Sequence, residues 1–150
     1  MNKVPEILAK QVMYMETNKG WVYKILPDNE DIIDSKSMSF TKDELLLGVG
    51  TVCIWEGYWE ERDQSIIEIG WGVAPRYQGN GFGSKAVQLI LNLAKEDPSH
   101  KWGSSIHAFT KTTNIASNRL CEKCGFVFVG ESDIDYDGRL LKSNHYEFYL

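Results

Sequence analysis

The clearest hydrophobic periodicity in the chain follows a glycine-rich loop. From Phe82 to Ala94, apolar residues recur every three or four positions and polar residues occupy the opposite stripe, which predicts an amphipathic helix. Asp97-Pro98 predicts the end of this helix. The apolar stretch from Ile66 to Val73 precedes the loop and predicts a strand. We expect the rest of the chain to be organised around this strand, loop and helix.

Upstream of this unit, the pattern predicts antiparallel strands joined by loops. Apolar positions between Glu6 and Leu26 are interrupted by the turn signal Thr17 to Gly20, which predicts a hairpin. Leu45 to Trp55 is apolar and β-branched and predicts a long strand. The polar stretches Pro27 to Glu44 and Glu56 to Ser65 predict loops, of which the second joins two strands of an antiparallel pair.

Downstream, a crossover and a second helix are predicted. Gly103 to Phe109 reads as a strand, and a strand, helix and strand in succession form a right-handed crossover, so it should lie parallel to the strand ending at Val73. Asn114 to Cys124 predicts a helix that has Thr113 or Asn114 as its N-cap and that Gly125 ends. These elements predict the α/β (α+β) class of fold.

The last segments predict a closing hairpin and a single domain. Phe126 to Gly130 and Ser143 to Tyr149 alternate as antiparallel strands would, with a turn signal at Asp137-Gly138. The 150 residues are enough for one full hydrophobic core, so we expect one domain over residues 1–150.

Composition excludes several classes of partner. The chain carries 16 basic and 21 acidic residues, a net charge of -5, which argues against sequence-independent nucleic-acid binding. It has no run of 18 apolar residues and its N-terminus lacks the pattern of a secretory signal. We therefore expect a soluble, cytoplasmic protein that binds neither nucleic acid nor membrane.

The three cysteines predict neither a disulfide framework nor a metal site. Cys121 and Cys124 form half of a zinc motif, but none of the three histidines supplies a second pair of ligands at close spacing. Free cysteines are usually buried, so we expect core packing and no bound metal.

The glycine loop from Gln78 to Ser84 predicts a phosphate site. Amides at the start of a helix, together with the helix dipole, bind phosphate groups. A P-loop is excluded because no Gly-Lys-Ser/Thr follows at the required spacing. A dinucleotide fingerprint would need glycine at position 84, where the chain has Ser84.

The run from Gln78 to Gly83, QGNGFG, resembles the acetyl-CoA-binding signature Q/R-x-x-G-x-G/A of the GNAT superfamily of N-acetyltransferases. The run from Asn114 to Phe126, NIASNRLCEKCGF, resembles the helix and following strand of the branch of ribosomal-protein N-terminal (RimJ/RimL-like) acetyltransferases. The resemblance covers residues 45–150. It implies a mixed, mostly antiparallel central sheet of six to seven strands, with a splayed parallel pair and flanking helices.

The resemblance also implies acetyl-CoA as co-substrate. The pantetheine arm would lie between the splayed strands, and the pyrophosphate would sit on amides of residues 78–84. The implied cofactor-binding residues are Gly72, Val73, Gln78, Gly79, Asn80, Gly81, Phe82, Gly83, Ser84, Asn114 and Ser117. Glycine suits positions 79, 81 and 83 because a side chain there would hinder the approach of a phosphate.

In the family an amine attacks the acetyl thioester directly, which requires a base for the ammonium, an oxyanion donor and an acid for the leaving thiolate. Glu68, the acidic residue of the central strand, is our candidate base, with Glu56 and Glu60 as alternatives. Backbone amides at Gly72 and Val73 are candidate oxyanion donors.

The sequence offers three candidates for the general acid that protonates the leaving thiolate. Cys121 stands where many relatives have a catalytic tyrosine, so this chain departs from the family pattern there. Ser117, one turn earlier, is an equal candidate, and Tyr146 on the last strand is a third.

An aromatic and acidic segment predicts the acceptor site. Trp55, Tyr58, Trp59 and Glu60 would suit a cationic amine through charge and ring faces. The predicted function is acetyl transfer to a primary amine, either a protein N-terminus or a small molecule, by a monomer or homodimer. A non-catalytic acyl-CoA-binding or regulatory module on the same fold is the alternative.

Overall fold

The computed structural model describes residues 8–11, 20–25, 48–97, 99 and 102–150. The loop predicted from Pro27 to Glu44 lies outside these residues. The strands are β1 (Leu8–Gln11), β2 (Gly20–Ile25), β3 (Gly50–Trp59), β4 (Gln64–Val73), β5 (Ser105–Lys111), β6 (Val127–Tyr136) and β7 (Arg139–Tyr149). The helices are α1 (Phe82–Glu96) and α2 (Ile115–Lys123). Neither helix is long and apolar enough to cross a membrane.

The seven described strands form one sheet in the order β1-β2-β3-β4-β5-β7-β6. All neighbours are antiparallel except β4 and β5, which the α1 crossover makes parallel. These two strands pair only at Ile67 with Ile106 and at Glu68 with His107, and then diverge toward the end of β4. The predicted mixed, mostly antiparallel sheet with a splayed parallel pair is confirmed.

The β3–β4 hairpin is longer than the sequence predicted. Glu56 to Ser65 was expected to be a loop, but β3 continues to Trp59, and only a 3-10 turn and Asp63 separate it from β4. Glu56 pairs with Ile67, and Trp59 with Gln64. The loop prediction was wrong because cross-strand pairing and aromatic side chains support extended backbone despite the charges.

The closing hairpin is also longer than predicted, although its turn is correct. Asp137 and Gly138 join β6 to β7 with φ angles of 53° and 77°, as a two-residue hairpin loop requires. Pairing therefore extends to Tyr136 and Arg139 on either side of the turn.

The hydrophobic core lies between the two helices and one face of the sheet. Helix α1 buries Phe82, Ala86 and Ile90 against this face, as its periodicity predicted. Cys121 of α2 and Cys124, the C-cap of that helix, are buried in the same core as free thiols, which confirms the packing interpretation.

The tip of the β3–β4 hairpin folds onto the opposite face of the sheet. There the Glu61 carboxylate accepts hydrogen bonds from the Ser132 hydroxyl at 3.1 Å and the Asp133 amide at 3.3 Å. His107 of β5 and His145 of β7, which lie on this side of the sheet, are buried.

Candidate functional site

The loop between β4 and α1 is built by its own polar side chains. Gln78 Nε2 donates to the Val73 carbonyl at 2.9 Å, and Asn80 Nδ2 donates to the carbonyls of Tyr77 and Gln78 at 3.1 and 3.0 Å. The acceptors of these bonds are carbonyl groups, so the bonds use none of the amides of the turn. Gly81 is the N-cap of α1 and, being glycine, has no side chain to cap the first turn. The start of α1 therefore keeps amide donors for an anion.

The glycines of the loop serve two different purposes. Gly79 and Gly81 have φ angles of 78° and 84°, and a Cβ built on either would meet no described atom within 4 Å. Gly72 is equally open. A Cβ on Gly83, in contrast, would lie 3.2 Å from Leu120 Cδ1. Gly83 thus permits the close approach of α1 and α2. The phosphate contact that we predicted at Gly83 stays a prediction.

A cavity of about 820 Å³ lies at the end of β4, between the loop and the two helices. It is lined by Trp71, Gly72, Val73, Tyr77, Gln78, Gly79, Gly81, Phe82, Gly83, Ser84, Asn114, Ala116, Ser117, Arg119, Leu120 and Lys123. Of the predicted cofactor residues, the lining contains all except Asn80, whose side chain instead braces the loop.

Helix α2 contributes both polar and cationic groups to the cavity. Asn114 is its N-cap, and the Asn114 Oδ1 accepts a hydrogen bond from the Ser117 amide at 3.1 Å. Arg119 and Lys123, one turn apart, line the same wall. These two cations were not predicted from the sequence, although their spacing of four places them on one helix face. They make the cavity attractive to an anionic ligand.

Glu68 lies on the sheet face opposite the helices, as its alternation with core residues predicted. Burial raises the pKa of its carboxyl from 4.5 to about 7. Its Oε2 is 2.7 Å from the position that a Cβ on Gly57 would take, and Trp55 Nε1 is 3.5 Å from that same position. The indole of Trp55 also lies against Gly70. Glycines thus give the carboxylate and the indole room to lie side by side on the sheet.

The three candidate acids lie in different surroundings. Cys121 is fully buried, does not line the cavity, and has its pKa raised to about 12, chiefly by burial. Tyr146 is buried as well, and its hydroxyl donates to Asn118 Oδ1 at 3.0 Å. Ser117 is the candidate that faces the cavity.

The four predicted acceptor residues do not form one cluster. Trp55 lies beside Glu68, whereas Tyr58 and Glu60 are exposed on the hairpin. Trp59 packs edge-on against the His145 ring, with centroids 4.3 Å apart. Trp55 is therefore the member of the group that the fold places next to the candidate base.

A buried histidine pair, which was not predicted from the sequence, lies under Trp59. His107 Nδ1 and His145 Nε2 are 2.8 Å apart. Ser105 Oγ donates to a Glu147 oxygen at 2.7 Å, and that oxygen is 3.5 Å from His107 Nε2. Burial is the main cause that lowers the pKa of both histidines, that of His145 to about 4. Both rings are neutral near pH 7 and form a polar core beside Glu68, the register partner of His107.

Comparisons with known proteins agree with this geometry. Residues 5–127 match the family model described as an acetyltransferase (GNAT) domain. The chain is 30% identical over 125 residues, 83% of its length, to the uncharacterized N-acetyltransferase YnaD of Bacillus subtilis (strain 168), and covers 66% of that protein.

Two solved structures share the fold. A ribosomal-protein alanine acetyltransferase from Vibrio fischeri superposes with a TM-score of 0.61 at 16% identity, over 87% of this chain and 61% of that one. The ribosomal-protein acetyltransferase RimL, solved in complex with coenzyme A, gives a TM-score of 0.60 at 16% identity, over 87% of this chain and 62% of that one.

The chain thus spans 61 to 66% of the length of these three proteins. The family model matches most of it, including the β4 strand, the glycine loop and both helices. The chain belongs to the GNAT acetyltransferase family.

Proposed function

We propose that this chain is an acetyl-CoA-dependent N-acetyltransferase, a single domain that moves an acetyl group to a primary amine by direct attack in a ternary complex. The observation that carries the proposal is the cavity at the end of β4. Its floor is a glycine loop at a helix start, and its wall carries Arg119 and Lys123.

The cavity fits the anionic part of coenzyme A. The open space above Gly79 and Gly81 would be filled by any larger side chain, so these residues leave a cradle of backbone amides for the pyrophosphate. Arg119 and Lys123 supply positive charge to the same cavity, and neutralise phosphate groups there. RimL, which shares the fold, was solved with coenzyme A, and this supports the same class of ligand here.

The splayed strands suit the acetyl thioester, which is the activated group that acetyl-CoA supplies. The Ala74 amide donates to the Val49 carbonyl at 2.9 Å, on the β3 side of β4. Since successive residues of a strand point their amides to opposite edges, the Val73 amide points to the β5 side, where the strands have diverged. Of our two candidate oxyanion donors, Val73 therefore fits better than Gly72.

Glu68 is the base in this proposal. A primary ammonium must lose a proton before it attacks, and a carboxyl with a pKa of about 7 accepts one most effectively near neutral pH. Trp55 lies beside Glu68, and its ring face can hold the ammonium next to the carboxylate. We assign protonation of the leaving thiolate to Ser117, because it faces the cavity whereas Cys121 does not.

One observation favours the alternative, a non-catalytic acyl-CoA-binding module. The position at which many relatives carry a catalytic tyrosine holds Cys121, whose thiol is fully buried. Such a module would bind acetyl-CoA without releasing its thiol.

The decisive experiment measures free-thiol release from acetyl-CoA with a panel of amines that includes peptide N-termini, polyamines and aminoglycosides. We expect release with at least one amine and thermal stabilisation by acetyl-CoA alone. Stabilisation without thiol release on every amine would establish the binding module. If acetyl-CoA does not stabilise the protein and no amine causes thiol release, both assignments are refuted. A longer acyl-CoA included in the panel reports the acyl preference.

A further inference from the structure

The side chain of Asn118 joins α2 to two strands of the sheet. Its Nδ2 donates to the backbone carbonyls of Asn114 at 2.8 Å, Lys111 at 3.2 Å and Thr112 at 3.5 Å. Its Oδ1 accepts hydrogen bonds from Asn144 Nδ2 at 2.9 Å, Tyr146 Oη at 3.0 Å and Thr110 Oγ1 at 2.6 Å. The amide thus binds the β5–α2 turn with its donors and the strands β5 and β7 with its acceptor.

An amide is the side chain that this position requires. Both a two-proton donor and an acceptor are needed within one planar group, which asparagine and glutamine alone provide. The hydroxyls of Thr110 and Tyr146 belong to residues that are only 5% and 3% exposed, so they depend on Asn118 for an acceptor. A carboxylate would keep the acceptor but turn an oxygen toward the carbonyl groups of the turn.

The part of α2 that Asn118 holds carries two residues of the cofactor cavity. Asn114 lines the cavity and gives its carbonyl to Asn118. The Asn114 side chain in turn accepts from the Ser117 amide, and Ser117 also lines the cavity. The positions of both residues are therefore tied, through one side chain, to strands β5 and β7.

We infer that Asn118 is a positioning residue for acetyl-CoA, because its hydrogen bonds to the β5–α2 turn, anchored on the sheet by Thr110 and Tyr146, hold Asn114 and Ser117 against the cofactor cavity. This inference rests on the proposed function. It assigns to Asn118 an effect on cofactor affinity in addition to its effect on folding stability. Asn118 does not itself line the cavity, so its influence passes through Asn114 and Ser117.

The test compares Asn118→Asp with two controls. Asn144→Ala removes one of the three donors to Oδ1 but leaves the bonds to the turn in place. Asn92→Asp makes the same chemical change on the exposed face of α1, where Asn92 bonds to Gln88. Dissociation constants for acetyl-CoA and for coenzyme A are measured by calorimetry at a temperature at which circular dichroism shows each variant to be folded.

We expect Asn118→Asp to raise both dissociation constants about tenfold, which is the effect of losing one net hydrogen bond. The dissociation constants of the two controls should stay within about twofold of those of wild type. The KM for the amine should change less than the KM for acetyl-CoA. A double-mutant cycle with Asn114→Ala should be non-additive in acetyl-CoA affinity, because both changes act on the same turn.

The possible results separate the inference from the proposed function. If wild type binds acetyl-CoA and Asn118→Asp binds it equally well, with only its melting temperature lowered, Asn118 is purely structural and the inference fails alone. If wild type binds neither acetyl-CoA nor coenzyme A, the proposed function fails and the inference fails with it. Should Asn118→Asp not fold, Asn118→Ser, which keeps a small donor and acceptor, is judged by the same criteria.

Discussion

Replacement of Glu68 by glutamine probes the buried carboxyl that we propose as the base. The change removes the titrating group and keeps the size of the side chain. In the folded protein, burial raises the pKa of Glu68 from 4.5 to about 7. Folding stability should therefore depend on pH in wild type in a way that Glu68→Gln abolishes.

The sign and size of the effect follow from the two pKa values. Between pH 4.5 and 7 the folded protein holds a proton on Glu68 that the unfolded chain has lost, so stability from this group is fully present below about pH 4.5. It is lost as the pH rises through about 7. Each unit of difference in pKa corresponds to about 1.4 kcal/mol, so the loss amounts to about 3 kcal/mol.

The assay is chemical unfolding of wild type and Glu68→Gln at intervals from pH 4.5 to 8.5. As the pH rises across this range, we expect the free energy of unfolding of the variant to increase relative to that of wild type by up to about 3 kcal/mol. Glu60→Gln, which removes an exposed carboxylate of the hairpin tip, controls for the change in net charge.

Two results would contradict this reasoning. A difference between wild type and Glu68→Gln that does not vary with pH would show that the carboxyl is not desolvated in the folded state. If the stability difference between Glu60→Gln and wild type varies with pH to the same extent, the pH dependence arises from overall charge and not from Glu68. As a second readout, kcat/KM of wild type should rise with pH up to about 7 and then level off, and this limb should be absent from the variant.

Three further predictions concern the cavity and the sheet face beside it. Gly72→Val should abolish acetyl-CoA binding, measured by calorimetry, with little loss of thermal stability, because the valine side chain would enter open cavity space. Retained affinity would show that the cofactor does not bind at this position. Ser117→Ala should lower kcat at least tenfold, because Ser117 faces the cavity. Cys121→Ala should instead lower the melting temperature, since a methyl group replaces a fully buried thiol. A loss of kcat with Cys121→Ala but not with Ser117→Ala would assign the acid role to Cys121. Gly57→Ala should lower kcat severalfold without changing acetyl-CoA affinity, because its Cβ would lie 2.7 Å from the Glu68 carboxylate and displace it. An unchanged kcat would show that catalysis does not depend on the position of this carboxylate beside Gly57.

Local patterns predicted the elements around the cavity well. The periodicity of α1, the glycine loop and the Asn114 cap are interactions between residues close in sequence, so composition and spacing suffice to identify them. The limits of the β3–β4 hairpin were missed because its charged residues are held extended by partners on the facing strand.

The candidate catalytic groups divide in the same way. Alternation placed Glu68 on the face opposite the core, and the structure agrees, but its raised pKa depends on the surrounding burial. Cys121 and Ser117 are one turn apart and looked equivalent in sequence, yet only one of them reaches the cavity. The difference arises from the packing of α2 against α1 and the sheet, including the contact that Gly83 permits.

The sequence by itself determined the α/β character of this protein, the strand, glycine loop and helix, and the resemblance that identified its family. These depend on short-range periodicity and on backbone conformations that only glycine adopts readily. The tertiary structure alone decided which side chains face the cavity, how Asn118 joins α2 to β5 and β7, and how far Glu68 is desolvated. Those properties arise where segments distant in the chain meet, since burial and hydrogen-bond partners exist only after the sheet and helices have packed together.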